Sequence, residues 1–440
     1  RYPRHKDSGV EWLDEVPEHW EVDRLKRSTA GAKNGVWGAE PQQDANDIPC
    51  IRVADFHRQK LRVSINEPTI RNVQESERAG RVLQRGDLLL EKSGGGDSQP
   101  VGCVVLYDGP VPAVCSNFVA RVQVSRGMDP SFWCYLHAAM YTVRLNTRSI
   151  KQTSGIQNLD QQQYFDELVG FPPSDEQSQI ASFLDRETAK LDALIAEQQR
   201  LIELLKEKRQ AVVSHAVTKG LDLDAAMKSS SVEWLGEVPA HWECVRNKVV
   251  FKEVDERSTE DDGELLTVSH ITGVTRRSEK EVNMFLAETL QGYKRCRVGD
   301  VVINTMWAWM GALGCSPHNG LVSPSYNVYR IRDDRLLSAE YYDYLCRIPS
   351  HRVAMKANST GIWESRLRLY PDAFLSMRVA LPPITEQHSI VDFLGAQTAR
   401  FGSLLAEAER AITLLQERRT ALISAAVTGR IDVRGLAEVA

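Results

Sequence analysis

Apolar residues recur every seven positions along two long stretches of the chain, at residues 172–218 and 381–430. Pro-Pro stands at the start of each stretch, and the first contains no further Pro or Gly from residue 178 to residue 218. A heptad pattern of this length predicts two helices of about 60 Å that pack as a coiled coil. The predicted seam consists of Leu184, Leu191, Leu194, Leu201, Leu205 and Val212 in the first helix, and of Leu394, Phe401, Leu404, Leu415 and Leu422 in the second.

Two arrangements of these helices fit the pattern. In one, each helix lies on its own globular domain as an independent amphipathic helix. In the other, which we favour, the two helices pack on each other, and they are antiparallel if a pseudo-two-fold axis relates the two halves of the chain. Gly395 and Gly402 each weaken the second helix by about 1 kcal/mol, so we expect it to be the less regular of the two.

Short runs of β-branched residues, separated by Gly, Pro, Asp and Ser, fill the middle of each half. Examples are GDLLLEKS and AVCSNFVARVQVS in the first half and GDVVINTM and LVSPSYNVYRIR in the second. Such runs predict strands, and each half also has one helix-like stretch, at about residues 130–146 and 338–357. We therefore predict an α+β fold with two similar β-rich globular domains, separated by two long antiparallel coiled-coil helices in a pseudo-two-fold repeat.

The second half of the chain repeats the first nearly block by block. SGVEWLDEVPEHW at residues 8–20 returns as SSVEWLGEVPAHW at 230–242, and TSGI at 153–156 returns as STGI at 359–362. The helical stretches agree at roughly half of their positions, as expected of one structural unit used twice, whereas the middles are only faintly alike. The predicted domains are globular at residues 1–171 and 232–380, helical at 172–218 and 381–430, a linker at 219–231 and a tail at 431–440.

Composition narrows the class of protein without identifying it. The 440 residues are 42% hydrophobic, which suits two or three soluble domains. No apolar run approaches the roughly 18 residues that span a bilayer, and RYPRHKDSGVEW at the start lacks the apolar core of a signal peptide, so we expect a cytoplasmic protein. The net charge of -5 weighs mildly against a chain that wraps nucleic acid alone, but it leaves room for a basic face.

Motifs of catalysis and metal binding are missing from the sequence. The eight cysteines form no C-x-x-C pair and have no neighbouring His cluster, which predicts free thiols and no metal site. The glycine-rich EKSGGGDSQPVG lacks the spacing of a phosphate loop, and Asp87, Glu91 and Lys92 lack the E-x-K spacing of nucleases. No acyl-transfer or dinucleotide motif is found either, so we expect a non-catalytic chain.

Basic and polar residues at loop-like positions remain, and they are the side chains that read bases and phosphates. For any one of them the alternative is a charge that is simply solvated, and for a Trp it is a place in the core. The candidates are Arg58, Lys60, Lys92, Ser93, Arg148, Lys151 and Thr153 in the first half, and Arg276, Arg277, Asn304, Trp307, Lys356 and Arg366 in the second.

Taken in duplicate and in order, these blocks resemble the specificity subunit of type I restriction–modification systems over nearly the full chain. The blocks are YPRHKDSGVEWLDEVPEHWEVDRLK, GDLLLEKSGGG, CSNFVAR and PPSDEQSQIASFLD in the first half, and SSVEWLGEVPAHWE, GDVVINTMWAWMGALG and LPPITEQHSIVDFL in the second. The resemblance implies two target-recognition domains, each reading one half of a split double-stranded DNA target, and two helices that set the gap between the halves.

The same resemblance implies the partners and cofactors. Two modification methylase subunits are expected to bind the helices, and restriction/translocase subunits to join them. S-adenosylmethionine, ATP and Mg are expected in those partners and no cofactor in this chain, which also fits the missing motifs.

Two other functions stay open from the sequence alone. One is a scaffold that holds two partner proteins and never reads bases. The other is a self-contained nuclease or methylase with a divergent active site, although the Asn-Pro-Pro-Tyr-type methylase box and the nuclease D…E-x-K set are both absent.

Overall fold

The computed structural model describes residues 1–64, 67–153, 155–259, 263–280, 289–363 and 366–436. The chain divides into two compact units. Unit 1 consists of Arg1–Gln199 with Glu409–Ala440, and unit 2 consists of Arg200–Ala408. Each unit therefore contains one end of each long helix, and the two units are described in turn.

Two of the α-helices are far longer than the others, as the heptad pattern predicts. The α-helices of the described residues are α1 (Glu75–Arg78), α2 (Pro130–Thr142), α3 (Gln161–Phe165), α4 (Ser174–Lys219), α5 (Asn247–Val250), α6 (Ala339–Cys346), α7 (Pro349–Ala357), α8 (Pro371–Ser376) and α9 (Ile384–Val427). Short 3-10 helices lie at Leu25–Ser28, Val53–Asp55, Leu145–Ser149, Arg277–Glu279 and Ala308–Met310. None of the helices in these described ranges combines the length and apolar content needed to cross a lipid bilayer.

Unit 1 is built on a six-stranded sheet of order β4-β13-β9-β11-β7-β6, with smaller sheets around it. Its pairs are antiparallel except for β11 with β7. The described strands of unit 1 are β1 (His5–Asp7), β2 (Glu15–Pro17), β3 (Glu21–Arg24), β4 (Thr29–Asn34), β5 (Asp47–Ile51), β6 (Phe56–His57), β7 (Arg62–Val63), β8 (Thr69–Asn72), β9 (Leu88–Glu91), β10 (Ser93–Gly94), β11 (Val104–Leu106), β12 (Val114–Cys115), β13 (Val119–Val124), β14 (Ile150–Thr153), β15 (Ile156–Leu159) and β16 (Leu168–Phe171).

Unit 2 contains a four-stranded antiparallel sheet of order β20-β27-β24-β25, the same order as β4-β13-β9-β11 in unit 1. Two flanking pairs also recur, because β17-β18 matches β1-β2 and β19-β28 matches β3-β16. The described strands of unit 2 are β17 (Met227–Ser229), β18 (Glu237–Pro239), β19 (Glu243–Arg246), β20 (Phe251–Val254), β21 (Leu266–Ser269), β22 (Gly273–Arg276), β23 (Lys294–Cys296), β24 (Val301–Asn304), β25 (Leu313–Cys315), β26 (Gly320–Val322), β27 (Tyr326–Ile331) and β28 (Arg378–Leu381).

Each central strand is apolar on both faces because each sheet has a core on both sides. In β9, Leu88 and Leu90 belong to the core that contains α2, and Leu89 belongs to the core on the opposite face. In β24, Val301 and Val302 divide in the same way between two cores, the first of which contains α6. The continuous apolar runs after the two Gly-Asp pairs are therefore central strands.

The repeated Gly-Asp pairs also have a common structural role. Asp87 accepts a hydrogen bond from Arg121 Nε at 2.6 Å, and both side chains are buried. Asp300 accepts from Arg330 Nε at 2.8 Å and Nη2 at 2.9 Å. Each pair joins the turn before a central strand to the neighbouring strand, β13 or β27. Removing one partner from such a pair leaves a buried charge and costs about 3–5 kcal/mol.

The long helices pair antiparallel, which confirms the predicted packing. In unit 1, Arg419 Nε on α9 donates to Asp192 Oδ1 on α4 at 3.0 Å. Arg186, earlier on α4, reaches the carbonyl of Leu436, beyond the end of α9, at 2.9 Å. In unit 2, Val217 near the end of α4 shares a core with early residues of α9.

The seam of the helix pair differs from the prediction in its second row. Leu194 and Leu201 are 45% and 42% exposed, and Leu404 is also exposed. Ile195 and Ile202, one residue later, are buried instead, because the seam alternates steps of four and three residues and Ile195 lies four after Leu191. The first row fits better: Leu184, Leu191, Leu394 and Phe401 are buried, and Leu205, Val212, Leu415 and Leu422 are half-buried.

The shorter helices also depart from the predicted boundaries. The stretch predicted at 338–357 is two helices, α6 and α7, which meet at Pro349. Ile348 is extended there, with φ -70° and ψ 149°, as expected of a residue before proline. In the first half α2 ends at Thr142, and a separate 3-10 helix follows.

The duplicated opening box binds the start of a long helix in each unit. In unit 1, Glu176 in the first turn of α4 accepts hydrogen bonds from Tyr2 Oη at 2.5 Å, His19 Nε2 at 2.7 Å and Trp20 Nε1 at 3.0 Å. Trp20 is fully buried. Burial and the Glu176 carboxylate together raise the pKa of the Tyr2 phenol.

In unit 2 the same contacts recur on α9. Glu386 accepts from His241 Nε2 at 2.7 Å and from Trp242 Nε1 at 3.0 Å. The adjacent residues, Gln177 and Gln387, are buried and bind the residue just before a shorter helix, α2 or α6. Gln177 accepts from Asp129 N at 3.1 Å, and Gln387 accepts from Ser338 N at 2.8 Å. The opening box thus contacts the glutamate of each helix start, and the glutamine that follows contacts the beginning of α2 or α6.

In each unit, a glycine just after the end of the other long helix packs against the same opening box. Gly429, just after α9, has φ +74°, and a Cβ there would overlap Pro17 in unit 1. Gly220, just after α4, has φ +78°, and a Cβ there would lie 3.3 Å from Trp242 Cζ2 in unit 2. Only glycine adopts this left-handed conformation without strain. Each box therefore contacts the start of one long helix and the end of the other.

We predict that Glu176→Gln lowers the free energy of unfolding by about 1–3 kcal/mol. The amide oxygen would keep the Tyr2 and Trp20 donors, which share Oε1, but as an uncharged acceptor it binds them more weakly, and the new NH2 group would replace the Oε2 that accepts from His19 Nε2. Urea unfolding of the full chain, followed by Trp fluorescence, measures the change. Glu197→Gln, an exposed carboxylate on the same helix, is the control and should unfold like the wild type; equal stability of both variants would contradict the prediction.

Candidate nucleic-acid interface

In unit 1 the polar candidates gather on a small three-stranded sheet, β10-β15-β14. Ser93 Oγ on β10 donates to Asn158 Oδ1 on β15 at 2.7 Å. Lys151 on β14 is 71% exposed and forms an ion pair with Asp160 at 2.6 Å, and Arg148 just before β14 is exposed beside Glu11 at 3.6 Å. The side chain of Thr153 lies outside the described residues. An ion pair this exposed contributes little to stability, so both cations can exchange their carboxylate for another anion.

Arg58 and Lys60 have a different environment. Arg58 Nη2 donates to Glu91 Oε2 at 2.8 Å, and Glu91 is buried. Burial raises the pKa of the Glu91 carboxyl, and the charge of Arg58 opposes that shift. Arg58 is therefore part of a structural ion pair, whereas Lys60 is exposed and Lys92, the residue after Glu91, is half-buried.

An aromatic cleft of about 490 Å³ lies next to Ser93, and no sequence pattern predicted it. Trp37 and Phe118 form walls and are each more than one-third exposed, and Gly94 and Gly95 line the same cleft. The guanidinium of Arg71 lies 4.5 Å from the Trp37 ring centroid. Exposed rings beside polar groups can stack on planar groups such as bases.

In unit 2 the structure brings three candidates to one region. The 3-10 helix Ala308–Met310 packs on α7, where Lys356 Nζ lies 5.9 Å from the ring centroid of Trp309. Trp307, at the start of this turn, is 48% exposed. Leu369 N donates to Thr305 O at 3.2 Å, which joins the segment of exposed Arg366 to this turn.

Asn304 and Arg277 adjoin this region through Tyr326. Asn304 is largely buried, and its Nδ2 donates to Tyr326 Oη at 3.3 Å. Burial raises the pKa of Tyr326, and the charge of Arg277 opposes the shift. Arg276 is exposed and lies 3.5 Å from Glu279. The unit 2 surface thus combines cations with the exposed indole ring of Trp307, whereas the amide of Asn304 is largely buried.

The groups that suggested catalysis have structural partners. Asp87 and Glu91 are held by Arg121 and Arg58. All eight cysteines are free thiols, and burial raises the pKa of Cys50 to about 11 and that of Cys103 to about 12, far from a reactive thiolate. Within the described ranges, no three His, Cys, Asp or Glu side chains come together as a metal site would require.

Known proteins with similar sequences are specificity subunits. No protein-family model matches the chain. The putative type I restriction enzyme MjaX specificity subunit of Methanocaldococcus jannaschii is 25% identical over 244 residues, which is 54% of this chain and 55% of the relative. The type I restriction enzyme EcoBI specificity subunit of Escherichia coli is 24% identical over 353 residues, 74% of this chain and 71% of the relative. The match thus spans about half the length of the first relative and 71% of the length of the second.

Solved structures share the fold. The HsdS subunit from Thermoanaerobacter tengcongensis has a TM-score of 0.55 at 13% identity, over 94% of this chain and 98% of that one. A chain from a structure on complex assembly and conformational transition of the type I R-M system has a TM-score of 0.63 at 16% identity, over 94% and 99%. The chain is therefore similar in sequence to specificity subunits of type I restriction enzymes, and it shares the fold of the solved HsdS subunit.

Proposed function

We propose that this chain is the DNA-recognition subunit of a type I restriction–modification complex, in which each unit reads one half of a bipartite, asymmetric target. The observation that supports this most is the common frame of the two units, with the same four-stranded sheet order and the same closure by both long helices. On that frame the outer loops differ in sequence. Two readers that share a frame and differ in their loops suit a target with two different half-sites.

The candidate residues fit two kinds of contact. Lys151, Arg148, Arg366 and Lys356 present exposed cations for phosphates, which position a protein on the duplex. The hydroxyl of Ser93 and the side-chain amide of Asn158 suit base edges, which carry the sequence information. The chain needs no cofactor for this role, and S-adenosylmethionine, ATP and Mg belong to the partner subunits in this proposal.

The long helices are proposed to set the gap between the half-sites and to bind the methylase subunits. Helix α4 has 46 residues and contributes to both units, and so does α9 with 44. Leucines left outside the seam supply apolar surface for a partner: Leu194, Leu201 and Leu204 on α4, and Leu404 and Leu414 on α9. Exposed apolar side chains at helical spacing are typical of interaction surfaces.

We predict that Lys151→Ala and Arg366→Ala each weaken binding of the assembled methylase complex to its target DNA about tenfold and reduce the salt dependence by roughly one phosphate contact. The target is first identified by mapping methylated adenines in cells that express the complex. Binding is then measured by fluorescence anisotropy at several salt concentrations. Lys206→Ala, an exposed lysine on α4 paired with Glu203, is the control and should bind as the wild type does.

The same measurement separates the proposal from its rival. If the chain were only a scaffold, neither substitution would change DNA affinity, and the complex would bind its target and random competitor DNA equally. Equal losses in the control and both variants would also count against a localised interface.

We predict that lengthening both helices by one heptad widens the gap of the target by about three base pairs. Seven residues are inserted between Gln199 and Arg200 in α4 and between Ala408 and Glu409 in α9, the borders of the compact units, so that the internal contacts of each unit and the heptad register are kept. Mapping of methylated adenines reads out the new target. The half-sites should stay the same.

An insertion in α4 alone serves as the control, since it changes the pairing of α4 with α9 and should abolish methylation. A lengthened pair that methylates the original gap, or that recognises new half-sites, would contradict the role of the helices as a spacer.

A further inference from the structure

Besides the Gly-Asp pair, the middles of the two halves share a short motif that ends in an exposed isoleucine. TSGI at residues 153–156 and STGI at 359–362 both lie between the helical segment of their unit, α2 or α7, and its last strand, β16 or β28. Ile156 is 50% exposed and Ile362 is 92% exposed, and the next residue, Trp363, is 69% exposed. Each of these large apolar side chains thus leaves half or more of its surface uncovered by its own unit.

Glycine fixes the shape of both tips. In unit 1, Thr153 on β14 pairs with Ile156 on β15, and Gly155, just before Ile156, has φ +81°, a left-handed conformation that favours glycine. In unit 2 an antiparallel bridge joins Thr360 to Arg368, and a Cβ on Gly361 would lie 2.7 Å from the carbonyl oxygen of Arg366. Both isoleucines thus stand at turns whose backbone is set by hydrogen bonds and close packing.

Exposed cations accompany both tips. The unit 1 hairpin carries Lys151, and Arg148 lies just before it, both more than half exposed. In unit 2, Arg366 and Arg368 lie three and five residues after Trp363 and are exposed. An apolar tip beside cations matches the face of a duplex, where phosphates border the base stack, better than it matches a protein surface of mixed charge.

We propose that Ile156 and Ile362 are apolar wedges that press against the base stack in the minor groove, one at each half-site, and that they provide a sequence-independent part of the binding. This rests on the proposed function. If the two units read different bases, a motif that both keep cannot select a base, so it must contact what the half-sites have in common. The common features of the half-sites are the sugar-phosphate backbone and the stack itself, and apolar side chains inserted at base steps are a known way to hold and bend them.

The test compares the wild-type complex with the double variant Ile156→Ala/Ile362→Ala. The bipartite target of the wild type is mapped first by adenine methylation, and this result alone decides the proposed function. We then expect the double variant to bind target and random DNA both about tenfold more weakly and to bend the target less, measured by anisotropy and by energy transfer between dyes at the duplex ends. The methylated sequence should remain that of the wild type.

Leu223→Ala, an exposed leucine in unit 2 that is outside both tips, is the control and should leave binding and bending unchanged. The wedge is refuted if the double variant binds and bends DNA like the wild type. It is also refuted if the methylated sequence changes, since the tips would then select bases. Reduced recovery of methylase subunits with unchanged DNA affinity would show that the tips bind protein instead.

Discussion

The buried indole of the opening box, hydrogen-bonded to a glutamate at a helix start, is the contact on which each unit depends. Trp20 and Trp242 are fully buried, and each needs an acceptor for its Nε1. The acceptors, Glu176 and Glu386, are the second residues after Ser174 and Ile384, where the helix dipole also favours a carboxylate. The box is repeated because there are two helix starts to hold.

The same contact dictates the antiparallel order of the helices. In unit 1 the box holds the start of α4 and the glycine after α9, so the start of one helix and the end of the other meet at Trp20. In unit 2 the roles are exchanged, with α9 starting and α4 ending at Trp242. Neither unit is complete without a segment from the other half of the sequence, which explains why unit 1 includes Glu409–Ala440.

Local patterns predicted much of this fold, and the errors have physical causes. Periodicity identified both long helices, but apolar residues at both three and four positions after Leu191 made the row of Leu194 as plausible as that of Ile195. Arg58 was predicted to contact DNA because the sequence alone does not show that its guanidinium binds Glu91, 33 residues later in the chain. The contact of Trp20 with Glu176 spans 156 residues, so only the repetition of both motifs hinted at it. The aromatic cleft and the exposed tips depend on loop positions that no period describes.

The distribution of likeness between the halves follows from these contacts. The box, the Glu-Gln of each helix start and the closing glycine make contacts within a buried interior, where a change of even one methylene affects stability. The buried ion pairs Asp87–Arg121 and Asp300–Arg330 constrain the sheet in the same way. Loops outside these contacts are free to differ, because little of the frame rests on them. A chain with this division can change its outer loops while the frame and the helix pair stay the same, and this is the property that the proposed role, two readers of different half-sites, would require.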